Sequence, residues 1–270
     1  MSEKIHSITE MESRLSTARS ALAKTGKNPQ KLAEENRLEV ISWIYLWGFT
    51  SPGIIQSLLN RTSAGYGKRL VETGWLTATK AASGTPAKFF TLSKQGLEFA
   101  EYHALQQYRY AEIDPQRVDQ KIIRHNLITQ AATINLLHSN LIESFETERM
   151  FSKAGDQLNI KRPDIIWNLK NDLRIAVEIE LSGKWGRDLD KFIFEIIHAL
   201  KSDENGIARC SRFSIVSDSP ALIKRYQDAM QPSCKLRIWQ KNARSHWEVR
   251  ETIPMPNWLM TKVDFHLMER

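Results

Sequence analysis

The sequence predicts a two-domain protein of mixed α and β structure. A small helical domain closed by a two-stranded wing comes first. A core in which a helix, three strands, a helix and a strand follow one another comes second. Three observations lead there. Cap and breaker residues divide positions 30–105 into short helices and one hairpin. Positions 118–250 alternate between helical spacing and short apolar runs. Three acids, Asp164, Glu178 and Glu180, interrupt two of those runs. A chain of 270 residues has room for both parts.

Residues 1–28 form a polar arm. Met11, Leu15 and Leu22, with Ala18 and Ala21, suggest an amphipathic helix over 9–23, before Gly26 and Pro29 break the pattern. Contact of this arm with DNA or with a second copy of the chain, in a homodimer, stays open.

The first domain is placed at 29–105. Leu38, Ile41, Ile44 and Tyr45 give a helix over 32–46 its apolar stripe. Ser51 caps a second helix, with Pro52 at its first position and the helix running to Leu59. A break at Asn60-Arg61 precedes a third helix over 63–72, which Gly74 ends. Residues 75–79 and 87–92 read as paired strands around a turn at 82–86, with Phe89, Phe90 and Leu92 as their core. Ser93 then caps a helix over 94–104.

This is the winged helix-turn-helix order, and it places the third helix in a DNA major groove. Between Arg61 and Lys94 stand six basic residues and one acid, Glu72. Arg61, Tyr66 and Lys68 lie near the start of the candidate recognition helix, and Arg69 follows on it. Lys80 and Lys88 flank the wing. Cations so placed neutralise phosphates and make binding depend on salt. Protein binding is the alternative use of such a module.

Residues 106–117 show no period and are expected as a linker to the second domain, 118–250. Its opening helix, over 118–139, carries Ile122, Ile123, Leu127, Ala131, Ile134 and Leu137 at helical spacing. His125 and His138 lie on it, and a lone helical histidine reads as a hydrogen-bonded structural residue. A strand over 144–151 includes Glu148, a candidate fourth carboxylate for which a solvated side chain is the plainer reading. Strands over 164–169 and 173–181 follow, joined by the polar turn Lys170-Asn171-Asp172. A helix over 187–200, a buried strand over 212–216, a helix over 220–230 and strands over 236–239 and 247–249 complete the domain. Residues 251–270 read as a tail.

The two central strands carry the chemistry. Glu178 and Glu180 share one face because side chains alternate with period two, and Asp164 on the neighbouring strand can face them. Three carboxylates among Ile165, Ile166, Ile175, Val177, Ile179 and Leu181 would repel one another unless a cation joined them. Hard oxygen donors suit Mg²⁺ or Mn²⁺, the ions of phosphate chemistry.

Pro163-Asp164 and Glu178-Ile179-Glu180 resemble the signature of the PD-(D/E)xK nuclease superfamily. Its pattern is Pro-Asp on one strand, then an acid, any residue and Lys on the next. Glu180 stands where Lys is usual, and Lys184, four residues on, is placed to supply the displaced charge. The resemblance implies a restriction-endonuclease-like αβββαβ core behind the winged helix. It implies that Asp164 and Glu178 bind a divalent cation at the scissile phosphate. Glu180 would assist the metal or the attacking water, and Lys184 would offset charge on the phosphorane.

With the winged helix, the segment from Val177 to Lys184 resembles the MobC-type mobilization relaxases of plasmids, part of a wider replication-relaxation group. That implies recognition of double-stranded DNA at an origin of transfer and nicking of one strand. It also implies an accessory mobilization protein and a coupling protein as partners. A double-strand endonuclease of restriction or transposon type, and a non-catalytic DNA-binding regulator of replication or mobilization, are the competing readings.

The net charge of +7 favours a polyanionic partner. The longest apolar run, 40–49, is too short to span a bilayer, and the first 15 residues lack the apolar core of a signal peptide. Cys210 and Cys234 provide neither a disulfide framework nor a zinc site, as expected of a cytoplasmic protein. Paired histidines of the tyrosine relaxases, Walker motifs and HExxH are absent from the sequence. Six tyrosines are present, none with a distinguishing context.

Overall fold

The computed structural model describes residues 28–63, 65–151, 163–201 and 209–268. The helix expected over 9–23 lies outside them. Helix α1, Pro29–Trp47, begins three residues before the expected start, because Asn28 and Pro29 already supply its signals. The Asn28 side chain accepts the Gln30 N–H (2.9 Å), and Pro occupies the first helical position. Helix α2, Pro52–Leu58, is capped by Ser51, and α3, Gly65–Glu72, gives way to Gly74 at φ +81°. Strands β1, Leu76–Lys80, and β2, Lys88–Leu92, pair antiparallel, from Leu76 opposite Leu92 to Lys80 opposite Lys88. Thr50 adds a bridge to Phe90. Ser93 caps α4, Lys94–His103, by accepting the Gly96 N–H (3.0 Å). Phe89, Phe90 and Leu92 are buried, as expected of the core of this hairpin.

Residues 106–117, expected as a linker, are instead packed against this first module. They hold two short 3₁₀ turns, Ala111–Ile113 and Pro115–Arg117. The Tyr110 ring is buried, and its hydroxyl donates to Gly48 O (2.6 Å) while accepting from Leu92 N–H (2.8 Å). Tyr45 Oη donates to Tyr108 O (3.1 Å) and accepts the Tyr108 N–H (2.8 Å). Single anchors of this kind leave no period in a sequence. The next helix, α5, spans Ile123–His138 and starts five residues later than expected. Asp114 and Asp119 accept the Gln116 and Lys121 N–H groups, turning the chain locally before the helix begins.

Strand β3, Ser144–Thr147, stops where a short helix α6, Glu148–Phe151, opens, so Glu148 is not on a strand. Strands β4, Ile165–Asn168, and β5, Arg174–Ile179, form the expected hairpin. Helix α7, Gly186–Leu200, strand β6, Arg212–Ser217, and helix α8, Pro220–Ala229, follow. Strands β7, Lys235–Lys241, and β8, Trp247–Pro254, make a separate antiparallel ribbon. A short helix α9, Leu259–Lys262, leads to β9, Val263–Leu267. The main sheet has the order β3-β4-β5-β6-β9, with β5, β6 and β9 parallel.

The expected tail at 251–270 is therefore corrected: its described part completes the ribbon and supplies the sheet's edge strand. Met255, Leu259 and Val263 are buried, and the Arg212 guanidinium grips both Asp264 oxygens at 2.7 and 2.6 Å. Residues 263–267, Val-Asp-Phe-His-Leu, are too short and too polar to show as a strand without that partner.

The sheet's two faces enter different cores. Ile165, Val177 and Ile179 pack in one cluster with α1, α2 and α5, whereas Ile166 and Ala176 pack with Phe192, Ile196, Phe213 and Tyr226. Gln130 on α5 ties the first module to the second. Its Oε1 accepts from Trp43 Nε1 and Thr50 Oγ1 (both 2.8 Å), and its Nε2 donates to Phe49 O (3.0 Å). Gln130→Leu would strand three buried polar groups at once. The expected cost is roughly 3 kcal/mol, read from urea unfolding. Among the described residues, no helix is long and apolar enough to cross a membrane.

Candidate functional site

Asp164 sits just before β4. Ile165 pairs with Val177, so the antiparallel register brings Asp164 next to Glu178 at the far end of β5. Backbone and side chain both fix it there. Asp164 N–H donates to Val177 O (3.0 Å), and Oδ2 accepts the Ile179 N–H at 2.7 Å. The carboxylate thus extends the ladder where the strand pairing ends. A charge-assisted bond of this kind holds it firmly.

The same Oδ2 lies 2.9 Å from His125 Nε2 on α5. Burial alone would lower the His125 pKa. Hydrogen bonds to Asp164 and Asn126, with the charges of Asp164 and Glu178, overcome this and raise it to about 9. His125 is therefore a cation at neutral pH and close enough to feel both acids. The histidine is hydrogen-bonded as expected, to a partner the sequence did not point to. Its partner lies 39 residues away in sequence, and no local pattern announces the pair.

Glu178 and Glu180 are 5% and 3% exposed, which decides that they require partners. Both lie on the sheet face that meets α7 and α8. Lys184 Nζ bonds Glu180 directly and stands 4.0 Å from Glu178 Oε1. The lysine rests over the Phe192 ring, 4.5 Å from its centroid. The loop from Leu181 to Trp185 folds back to bring it there, with the Lys184 N–H donating to Tyr226 Oη (3.3 Å). Tyr226, fully buried on α8, in turn donates to Glu180 Oε2 (3.0 Å). Burial and the neighbouring Glu180 raise the pKa of its hydroxyl. Of the six tyrosines it is the one that touches the acids described here, a role its sequence context gave no sign of.

The expected convergence of three carboxylates on one point is not met. Asp164 is drawn toward α5 by His125, while Glu180 is taken by Lys184 and Tyr226 on the opposite side of the sheet. Among the described residues, no group of three or more histidine, cysteine, aspartate or glutamate side chains is gathered to hold a metal ion. What remains together is a row: His125, Asp164, Glu178, Lys184 and Glu180. The oxygen donors in it suit a hard cation held by one or two carboxylates with water and phosphate completing the shell.

A cleft of about 330 Å³ opens beside Asp164. Leu46, Trp47 and Phe49 of the first module line it on one side, and Asn126, Thr129 and Glu148 on the other. Glu148 is thus at the cleft, exposed, rather than in the acidic row. Arg149 holds Glu112 across the wall (2.7 Å).

The candidate DNA-contacting residues fall into two groups. Arg61 lies over the Tyr66 ring, 4.4 Å from its centroid, at the entry to α3. Tyr66 Oη reaches back to Ala33 O (3.4 Å). Lys68 and Arg69 are exposed one turn on, with Lys68 3.5 Å from Glu72. Lys80 and Lys88 are register partners where the hairpin of β1 and β2 opens into its turn, and both are exposed. Comparison with protein-family models, curated proteins and solved structures returned no match for this chain.

Proposed function

We propose that this chain is a DNA-binding, Mg²⁺- or Mn²⁺-dependent DNA endonuclease. Within that class the resemblance of its sequence favours a relaxase that nicks one strand at an origin of transfer. The observation that carries the reading is the hairpin of β4 and β5. It sets Asp164, locked by the Ile179 N–H, beside the buried Glu178, with Lys184 next in line. The order α5, β3, β4, β5, α7, β6 around it, with the short α6 between β3 and β4, supports a restriction-endonuclease-like core. The order α1, α2, α3, β1, β2, α4 before it supports a winged helix.

Asp164 and Glu178 would hold the ion. When bound, it would supply a Lewis acid and a hydroxide at neutral pH. Lys184 would offset charge developing on the phosphorane oxygens, and Tyr226 bonds Glu180 beside that lysine. Wild-type protein with Mg²⁺ or Mn²⁺ should convert supercoiled plasmid carrying its own DNA site to open circles. Glu178→Gln should slow this by about 100-fold or more while leaving DNA affinity intact. Full cleavage by Glu178→Gln would overturn the assignment, and linear product would favour a double-strand endonuclease.

One observation favours a second reading. Glu180 is already paired with Lys184 and hydrogen-bonded by Tyr226, and Asp164 is paired with His125, as befits a DNA-binding protein whose acidic row is structural. Binding is common to both readings. Arg69→Ala and Lys68→Ala should each weaken duplex binding at every sequence. Each should also flatten the dependence of log K on log salt by about 1, measured by fluorescence anisotropy.

A further inference from the structure

The geometry points to a single-stranded DNA track that leaves the acidic row at Lys184 and runs over Trp185 and Trp247. Trp185 directly follows Lys184 and is 63% exposed, with the Arg225 guanidinium against its ring. Trp247, on β8 of the ribbon, is 47% exposed. Arg187 lies 4.7 Å and Lys241 5.5 Å from its ring centroid. Arg187 also meets Asp188 at 3.1 Å. Beside Trp247 a cleft of about 310 Å³ opens between α7 and the ribbon, with Phe194 and Trp239 in its wall.

Large exposed aromatics, each attended by cations, match an unpaired strand in both of its parts. Bases stack on the rings and phosphates meet the cations. A duplex offers no free base faces to such rings, so the occupant is a single strand. The basic character of the ribbon fits this. Residues 235–251 hold five Lys or Arg against two acids. The inference rests on the nuclease reading for its purpose, which is to hold the strand released beside the acidic row.

The test is anisotropy with fluorescent oligo-dT in EDTA at low salt, so that cleavage plays no part. Wild type should bind it. Trp185→Ala and Trp247→Ala should each lose affinity by about 5- to 100-fold, with duplex affinity unchanged and melting temperatures preserved. Trp185→Phe and Trp247→Phe should retain most of the affinity. Oligo-dT binding that is absent in wild type, or equal in the alanine variants, would overturn the track. Equal loss of duplex and single-strand binding would also overturn it. A protein that binds oligo-dT through both tryptophans yet never nicks plasmid overturns the nuclease reading alone. A nicking protein whose alanine variants bind oligo-dT normally overturns the track alone.

Discussion

Lys184→Met is expected to destabilise the protein by about 2–4 kcal/mol, because it leaves two buried glutamates without the cation they share. The side chains of Glu178 and Glu180 are only 6% and 4% exposed, whereas Lys184 keeps 30% of its surface in water. That partial exposure places the effect below the fully buried limit. Adding Glu180→Gln to Lys184→Met should recover much of the loss, since the amide can still accept from Tyr226 without a buried charge. A double-mutant cycle by urea unfolding measures the coupling. Additive losses would show that Lys184 acts on Glu180 only weakly.

Gly96→Ala is expected to be at least as damaging, at about 3 kcal/mol or more. A Cβ at Gly96 would stand 2.2 Å from the Trp75 carbonyl oxygen, which is backbone and cannot swing aside. Ser93 Oγ ties the same junction together by donating to Gly74 O (2.6 Å) and Trp75 O (3.0 Å). The first turn of α4 therefore sits directly on the link between α3 and β1. Gly65, on α3, is the natural control. A Cβ there meets nothing within 4 Å, so Gly65→Ala should stabilise the helix by up to about 1 kcal/mol. Thermal melts of the two variants should move in opposite directions.

What was legible in the sequence is what short-range chemistry writes there. Ser51-Pro52, Gly74 and the Ser93 cap of the Gly96 N–H each act within a few residues, so the helix boundaries they set could be read directly. The hairpin of β4 and β5 was legible for the same reason, through its polar turn and two apolar runs. The partners of the acids were not. His125 reaches Asp164 across 39 positions and Tyr226 reaches Glu180 across 46, and neither spacing is a property of any local segment. Those distant partners also explain why Asp164, Glu178 and Glu180 do not gather as their alternation alone suggested. Tyr110 and the β9 edge strand escaped notice because one buried ring or one Arg212–Asp264 fork can anchor a segment whose composition is otherwise that of a loop.

The most direct measurement is calorimetric titration of Mn²⁺ into wild type, Asp164→Asn, Glu178→Gln and, as an exposed control, Glu248→Gln. Wild type and Glu248→Gln should each bind one ion per chain, with affinity at least ten-fold weaker in both Asp164→Asn and Glu178→Gln. Absence of Mn²⁺ binding in wild type, or binding unchanged by both substitutions, would contradict a metal site between β4 and β5. The acidic row would then be left as a structural element of the fold.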